Sequence, residues 1–181
     1  VICMGDFCSM DSLSSYDRAK KSFEGRRYQK DMEHSHQALS LFNKGLGKHK
    51  PKKIMIHGNH EDRIDRFVDD NPELDGTLKI SDLKFKQYGW QEVPYKQIKI
   101  IDGIYYSHHF PSGIMGSAIS GENIGRTLLT KHKVSATVGH SHLLDYAIST
   151  LPNGKKIHGL SAGCYLSHSE HFARDTQHMW W

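Results

Sequence analysis

The chain has little cysteine and no long apolar run, and both absences narrow the class of protein. Its three cysteines are odd in number and form no CxxC pair. This argues against a disulfide framework or a zinc ribbon and fits a reducing compartment. No apolar stretch approaches the roughly 20 residues that a membrane-spanning helix needs. There is also no internal repeat, linker or low-complexity segment. We therefore expect a cytoplasmic protein that does not enter a membrane.

What the chain does contain is the composition of a globular protein with a small basic excess. Hydrophobic residues make up 37 % and charged residues 24 % of its 181 positions, and the net charge is +4. That length is most simply one domain with a real core. Basic residues are concentrated at 18–30 and 48–53, which favours a phosphate-bearing ligand. Interleaved acids such as Asp17 and Glu24 fit a solvated surface of mixed charge equally well.

Apolar spacing and turn residues predict an alternation of strands and helices, and hence an α/β fold. Two pairs of strands are predicted to form hairpins, the first around Asp102-Gly103. The acidic stretch 69–82 reads as a turn or short helix. The expected strands are 1–4 (as a central strand), 53–57, 97–101, 104–107, 134–138, 143–150 and 156–161. The expected helices are 28–46, 61–68, the part of 119–132 that follows Gly121, and 167–181.

Three predicted strands end in glycine followed by a side chain that can bind a metal. The segments are Gly5-Asp6, Gly58-Asn59-His60-Glu61 and Gly139-His140-Ser141-His142. In α/β folds, ligands and catalytic groups gather at the carboxyl ends of strands. Aspartate and histidine are good ligands for Zn²⁺, Mn²⁺ and Fe ions, and asparagine offers a carbonyl oxygen. A single histidine at a strand end is usually structural, but the joint pattern favours a site.

Such a set of residues suits phosphate chemistry. Two metal ions clamp a phosphate, lower the pKa of a bridging water and stabilise an in-line displacement. A nearby histidine that is not a ligand protonates the leaving oxygen. The residue types and their order along the chain therefore predict a metal-assisted hydrolase.

These blocks resemble the calcineurin-like metallophosphoesterases. The ordered blocks of that family are Asp-x-His, Gly-Asp, Gly-Asn-His-Glu/Asp, a lone His and Gly-His-x-His, and four of the five occur here between Gly5 and His142. The segments 12–17, 61–63 and 121–126 are similar to the phage-type branch. The resemblance implies an α/β fold in which two mixed β-sheets, flanked by helices, form a layered sandwich. It implies one metallophosphoesterase domain over 1–181, located in the host cytoplasm if the source is viral.

The resemblance also implies roles for individual residues. Asp6 would bridge two divalent ions, with Mn²⁺ foremost and Zn²⁺, Fe or Ni²⁺ as alternatives, and His142 would hold the first of them. His60 would be the catalytic acid and would also contact the phosphate. The implied metal ligands are Asp6, Asn59, His108, His140 and His142, of which Asn59, His108 and His140 would hold the second ion.

Three of the assignments have open alternatives. His108 is preferred as the lone histidine because it is nearer the strand end, and His109 is the reserve. Arg63 and Arg126 are candidate phosphate contacts, although a surface salt bridge is the usual role of such a residue.

Two departures from the family pattern affect these expectations. No Asp-x-His block precedes Gly5, since only four residues do, and the family usually adds another strand after the point where this sequence ends. We therefore expect a fragment truncated at both ends. Many members carry an aspartate three residues after the bridging one, where it orients the catalytic histidine. Here that position is Ser9, and Asp11 is the candidate substitute.

The expected function is metal-dependent hydrolysis of phosphoric esters, with a leaning to phosphodiesters of nucleotides or nucleic acid. The basic stretches and the phage-like segments favour that substrate class. A phosphomonoesterase or a protein phosphatase is the close alternative. A non-catalytic module that binds metal and phosphate is the alternative of another class. The sequence gives no indication of oligomeric state.

Overall fold

The computed structural model describes residues 1–164 and divides the chain into two compact units, Val1–Tyr95 and a second that begins at Lys96. Within the described residues the fold is mixed α/β, with two sheets and three α-helices. The helix expected at 167–181 lies outside them. None of the helices in residues 1–164 combines the length and the apolar content needed to cross a lipid bilayer.

The first unit contains a parallel sheet of three strands. Its elements in chain order are β1 (Ile2–Cys3), α1 (Tyr28–Leu46), β2 (Lys53–Ile56), α2 (Arg63–Asp70) and β3 (Trp90–Val93). β2 lies between β1 and β3 and is parallel to both. The carboxyl ends of the three strands therefore lie at one edge of this sheet.

The helices of this unit pack on the central strand through their apolar stripes. Leu39 of α1, Met55 of β2 and Ile64 of α2 have no measurable exposure and belong to one core. Phe42 of α1 lies 5.2 Å from the Trp90 ring, centroid to centroid. Burial of such side chains stabilises the unit by about 1.5–3 kcal/mol each. The core thus fixes the strand edge from which the candidate residues emerge.

The second unit contains a mixed sheet of five strands. Its elements are β4 (Lys99–Ile101), β5 (Ile104–Ser107), α3 (Ile124–His132), β6 (Ala136–Val138), β7 (Leu144–Thr150) and β8 (Lys156–Ala162). The strand order is β4-β5-β6-β8-β7. β5, β6 and β8 are parallel, whereas β4 and β7 pair antiparallel with their neighbours.

α3 lies against this sheet at a glycine contact. A Cβ on Gly159 would come within 2.9 Å of Leu129 Cγ, so only glycine allows the helix this close to β8. At the start of the helix, the Gly125 N–H donates to Asp145 Oδ2 over 2.7 Å. A carboxylate at that end satisfies a free N–H and interacts favourably with the helix dipole. β7 therefore supplies the cap that α3 lacks locally.

The structure confirms most of the predicted elements. The helix at 28–46 has the predicted bounds, and both hairpins form. Asp102 and Gly103 both have positive φ, at 50° and 78°, as a two-residue turn of type I′ requires. The short helix expected in the acidic stretch is present as two 3₁₀ turns.

Three details differ from expectation. β3 was not predicted at all. The first strand was expected to be central, but among the described strands β1 lies at the edge of its sheet and β2 is central. Mixed pairing occurs in the second unit only, because the three described strands of the first unit are all parallel. The single domain over 1–181 and its truncation stay predictions.

Candidate functional site

Asp6 lies in the tight turn that follows β1. Gly5 and Asp6 both have positive φ, at 98° and 56°. This left-handed conformation is easy for glycine and costs another residue roughly 1–2 kcal/mol. The surrounding contacts must therefore compensate for the strain at Asp6.

Gly58, directly after His57 at the end of β2, allows the two turns to meet. A Cβ on Gly58 would approach Asp6 Cγ at 2.9 Å and would also collide with the Asp6 backbone nitrogen. No side chain fits in that space. The glycine before Asn59 is therefore required by the close approach of the Asp6 turn, which the sequence pattern alone does not reveal.

Glu61 joins these turns through three hydrogen bonds. Its side chain is fully buried. Oε2 accepts from the backbone N–H groups of Asp6, over 3.0 Å, and Gly58, over 2.7 Å, and Oε1 accepts from Cys8 over 2.9 Å. Burial raises the pKa of Glu61, and the negative charge of Asp6 acts in the same direction. Glu61 is thus an anchor of the backbone around Asp6.

The Asp6 carboxylate is held against the residue that the resemblance makes catalytic. The His60 backbone N–H donates to Asp6 Oδ1 over 3.0 Å, and His60 Nε2 lies 3.9 Å from Asp6 Oδ2. Burial raises the pKa of Asp6 to about 6, while the His60 N–H and the Arg63 charge oppose the rise. A largely buried carboxylate that is still mostly ionised at neutral pH is a favourable neighbour for a cation.

Asn59 is positioned by an arginine that the sequence reasoning did not single out. Arg66 Nη2 donates to the Asn59 carbonyl oxygen over 2.8 Å, and its Nε lies 3.1 Å from Asp62 Oδ2. Tyr95 lies near enough to Asp62 and Asp6 to be influenced by their charges. Burial raises the pKa of Tyr95, and these two negative charges add to the rise. Arg66 therefore fixes the backbone from which the Asn59 side chain extends.

Arg63 and Asp11 interact with each other. Arg63 Nη1 donates to the Ser9 carbonyl oxygen over 2.7 Å and lies 3.5 Å from Asp11 Oδ1. The Asp11 side chain is 52 % exposed. Asp11 was expected to orient His60, but the contact described for its carboxylate is with Arg63. Arg63 in turn holds the loop after β1, and a phosphate contact for it stays a prediction.

In the second unit, His108 and His140 lie beyond the carboxyl ends of neighbouring parallel strands. Ser107 and Val138 are paired in the register of β5 and β6. The His140 N–H then donates to the His108 carbonyl oxygen over 2.9 Å. This register brings the two rings together, with His140 Nδ1 3.2 Å from His108 Nε2. Ordinary strand pairing is enough to build the pair.

The surroundings of His140 favour a neutral imidazole. Burial lowers the pKa of His140 to about 4, and the neighbouring His108, His109 and His142 act in the same direction. A neutral imidazole nitrogen is the form that binds a metal. His142 is thus near enough to His140 to influence it. Arg126 is exposed on α3, and its role as a phosphate contact stays a prediction.

The structure distinguishes His108 from His109. Both side chains are buried. His109 Nε2 is hydrogen-bonded to the Gly116 carbonyl oxygen at 2.9 Å, so that its ring is used to hold the following loop. The buried Ser107 hydroxyl lies 3.0 Å from the carbonyl oxygens of both Gln97 and His109 and fixes the turn. This geometry favours His108 as the partner of His140.

The donor types in each unit are those that bind a divalent metal ion. Two nitrogens bound at tetrahedral angles to one zinc-sized ion lie about 3.3 Å apart, close to the 3.2 Å between His108 and His140. In residues 1–164, however, no group of three or more His, Cys, Asp or Glu side chains has an arrangement that could hold a metal. The pair therefore matches two ligands of an ion and leaves the rest of its coordination open.

The anchoring residues Glu61, Arg66 and Ser107 were missed as contributors by the sequence reasoning. Glu61 stands in the Gly-Asn-His-Glu block, but nothing in a linear pattern shows that it accepts three backbone N–H groups. Arg66 follows Asp62 at helical i,i+4 spacing, which was the one signal available for it.

No family model, no curated protein and no solved structure matches this chain.

Proposed function

We propose that the chain is a metal-dependent hydrolase of phosphoric esters with a calcineurin-like fold. In this proposal Asp6 and Asn59 of the first unit and His108, His140 and His142 of the second are metal ligands. The first choice of substrate is a phosphodiester of a nucleotide or nucleic acid, and the ions are divalent, with Mn²⁺ foremost. The proposal continues the resemblance carried by the sequence blocks.

The observation that carries the proposal is the pair His108 and His140. Two imidazole nitrogens face each other at 3.2 Å, and their residues follow the carboxyl ends of adjacent parallel strands. At this distance one ring N–H can donate to the other ring nitrogen, and the same separation suits two imidazole nitrogens that bind one ion. Metal binding is the chemistry that best explains this arrangement.

The Asp6 turn supports the proposal independently. A left-handed aspartate, a glycine that a Cβ would exclude and a fully buried glutamate all serve to present one carboxylate. Backbone strain of this kind persists where the surrounding contacts fix it, and it concentrates at functional sites. The Asp6 carboxylate is therefore the preferred ligand of the first unit.

The protein groups have distinct tasks in the reaction. A divalent ion, when bound, lowers the pKa of a water and neutralises charge on the phosphate oxygens. The His60 backbone N–H donates to Asp6 Oδ1 and so positions the Asp6 carboxylate. The His60 imidazole, whose side chain is 22 % exposed, is accessible to a substrate and gives its proton to the leaving oxygen.

A second candidate function is a binding module that holds metal and phosphate without catalysis. The observation that favours it is the contact between Asp11 and Arg63 at 3.5 Å. Ser9 stands in place of the usual aspartate and Asp11 lies beside Arg63, so the residues at these two positions depart from the family pattern that the resemblance assigns to orient the catalytic histidine. The two candidates differ in one measurable property, which is turnover.

The test measures Mn²⁺-dependent hydrolysis of bis(p-nitrophenyl) phosphate and the bound metal content of the same samples. We expect His60→Ala to lower kcat about 10²-fold or more while the metal content stays unchanged. The backbone N–H that holds Asp6 is kept in this variant. Asp6→Ala and His140→Ala should each lower the metal content. His34→Ala, which alters an exposed histidine of α1, is the matched control.

The other outcomes separate the alternatives. Faster turnover of p-nitrophenyl phosphate than of the diester would favour a phosphomonoesterase. Bound metal with no turnover of either compound would favour the binding module. Unchanged metal content in both Asp6→Ala and His140→Ala would contradict the ligand assignment and with it the proposal.

A further inference from the structure

The loop between β5 and α3 presents two bare apolar side chains at its tip. Ile114 is fully exposed and Met115 is 89 % exposed. They are adjacent, and Gly113 and Gly116 flank them. Single exposed apolar residues are common on protein surfaces and need no explanation. Two at the end of one turn form a small apolar tip, which we call the Ile114–Met115 tip.

The tip is held by a regular set of backbone hydrogen bonds. The Ser112 N–H donates to the Ser117 carbonyl oxygen over 2.7 Å, and the Ile119 N–H donates to the Phe110 carbonyl oxygen over 3.0 Å. A further bond of 3.0 Å from the Gly116 N–H to the Gly113 carbonyl oxygen closes the turn. Phe110 and Ile119 themselves are buried in the core of the unit. The tip therefore extends from a fixed base.

This base is connected to the histidine pair. His109 Nε2 is bonded to the Gly116 carbonyl oxygen at 2.9 Å. His109 directly follows His108, and its ring lies 6.2 Å from the His140 ring, centroid to centroid. Gly116, which directly follows Met115, is thus hydrogen-bonded to His109, and His109 lies beside the proposed metal ligands His108 and His140.

The charges around the tip favour a polyanion. His132 Nε2 is bonded to the Pro111 carbonyl oxygen at 3.1 Å, and Lys131 and Lys133 flank His132. Between residues 96 and 164 there are seven lysine and arginine residues against three acidic ones. This excess of positive charge over the unit favours ligands that carry phosphate.

We propose that the Ile114–Met115 tip stacks against a base of single-stranded nucleic acid whose phosphodiester lies at His108 and His140. This inference rests on the proposed function and names its substrate class. A nucleic acid places a flat base, whose faces can take an apolar contact, within one nucleotide of each phosphate. Isoleucine and methionine are among the apolar side chains that proteins insert against bases. Every base presents a flat face, so such a contact needs no particular sequence.

A lipid surface fits the tip less well. Helices and loops that insert into membranes use broad apolar faces, often with aromatic residues at the interface. The tip offers two exposed apolar side chains, Ile114 and Met115, which is far less apolar area than such a face buries. Anionic lipid is therefore the competing outcome of the test and not the proposal.

The experiment compares the double variant Ile114→Ser/Met115→Ser with the unchanged chain. Binding of a fluorescein-labelled oligothymidylate in Mn²⁺ is followed by anisotropy, and hydrolysis of bis(p-nitrophenyl) phosphate is measured in parallel. Because the variant loses the burial of two apolar side chains, we expect the Kd for the oligonucleotide to rise about tenfold. The small diester carries no stacked base, so its turnover should stay unchanged. Leu144→Ser/Ile148→Ser removes two exposed apolar side chains of β7 and is the matched control.

The outcomes separate the inference from the proposed function. Equal oligonucleotide affinity in the double variant and the unchanged chain would overturn the inference, even with turnover of the small diester intact. Weakened affinity together with no turnover in any sample would support the tip and contradict the hydrolase. Loss of binding to phosphatidylserine vesicles, with oligonucleotide affinity unchanged, would overturn the inference in favour of a lipid contact.

Discussion

The two units present their candidate residues by different means. In the first, the turn that carries Asp6 depends on unusual backbone angles, on Gly58 and on the buried carboxylate of Glu61. In the second, the histidine pair follows from the parallel register of β5 and β6, and Ser107 is the buried polar side chain that fixes the turn.

This difference predicts different tolerance to mutation. Here a junction means the turn that carries a candidate residue at the end of its strand. A junction that depends on one carboxylate with three backbone partners loses all three contacts in a single substitution. A junction that depends on sheet register keeps its main-chain bonds whichever side chains it carries. Substitutions at the anchors should therefore be costly in the first unit and mild in the second.

The largest effect is expected for Glu61→Ala. The change leaves the N–H groups of Asp6, Cys8 and Gly58 without their acceptor in a buried site. An unsatisfied buried group costs about 1–3 kcal/mol, so the free energy of unfolding should fall by roughly 3 kcal/mol or more. Urea denaturation followed by circular dichroism measures it.

Two further variants make that result specific. Glu61→Gln keeps an oxygen acceptor and should lose less stability than the alanine variant. Glu73→Ala alters an exposed acid of the same unit and should stay within about 0.5 kcal/mol. A Glu61→Ala loss no greater than that of Glu73→Ala would show that the three hydrogen bonds do not hold the junction.

An intermediate effect is expected for Gly58→Ala. The added methyl group would collide with the Asp6 carboxylate and backbone, and overpacking of this kind costs about 1–3 kcal/mol. Gly45→Ala makes the same change in α1, where nothing lies within 4 Å of the new methyl group. Since alanine is the better helix former, that control should gain about 0.5–1 kcal/mol. The two thermal midpoints should move in opposite directions, and equal shifts would refute the close approach.

Local patterns explain which parts of the fold were predictable. α1 was found from its apolar spacing and its terminal glycines, and the first hairpin from Asp102-Gly103. These signals lie within a few residues of the element they define. β3 was missed because Trp90–Val93 is short and has two polar residues in its middle. Its identity comes from pairing with β2, more than 30 positions earlier.

The same limit applies to the candidate residues. The glycine and histidine blocks identified positions after strands, because strand ends and glycines are local features. The choice between His108 and His109 needed the contact of His109 with the Gly116 carbonyl oxygen. Asp11 was chosen for its nearness in sequence to Ser9, whereas its contact is with Arg63, which lies 52 positions away. Side-chain partners across such separations are set by tertiary packing.

The smallest effect is expected for Ser107→Ala, the counterpart of Glu61→Ala in the second unit. The hydroxyl is fully buried and donates to the Gln97 or the His109 carbonyl oxygen, each 3.0 Å away. One such bond contributes about 1 kcal/mol. The bond from the His140 N–H to the His108 carbonyl oxygen does not involve this side chain. We therefore expect a loss of about 1 kcal/mol in urea and little change in bound Mn²⁺, with Ser117→Ala as the exposed control. If the loss were as large as that of Glu61→Ala, the turn that carries His108 would also depend on a single side chain. Strand register alone would then be insufficient to hold the histidine pair.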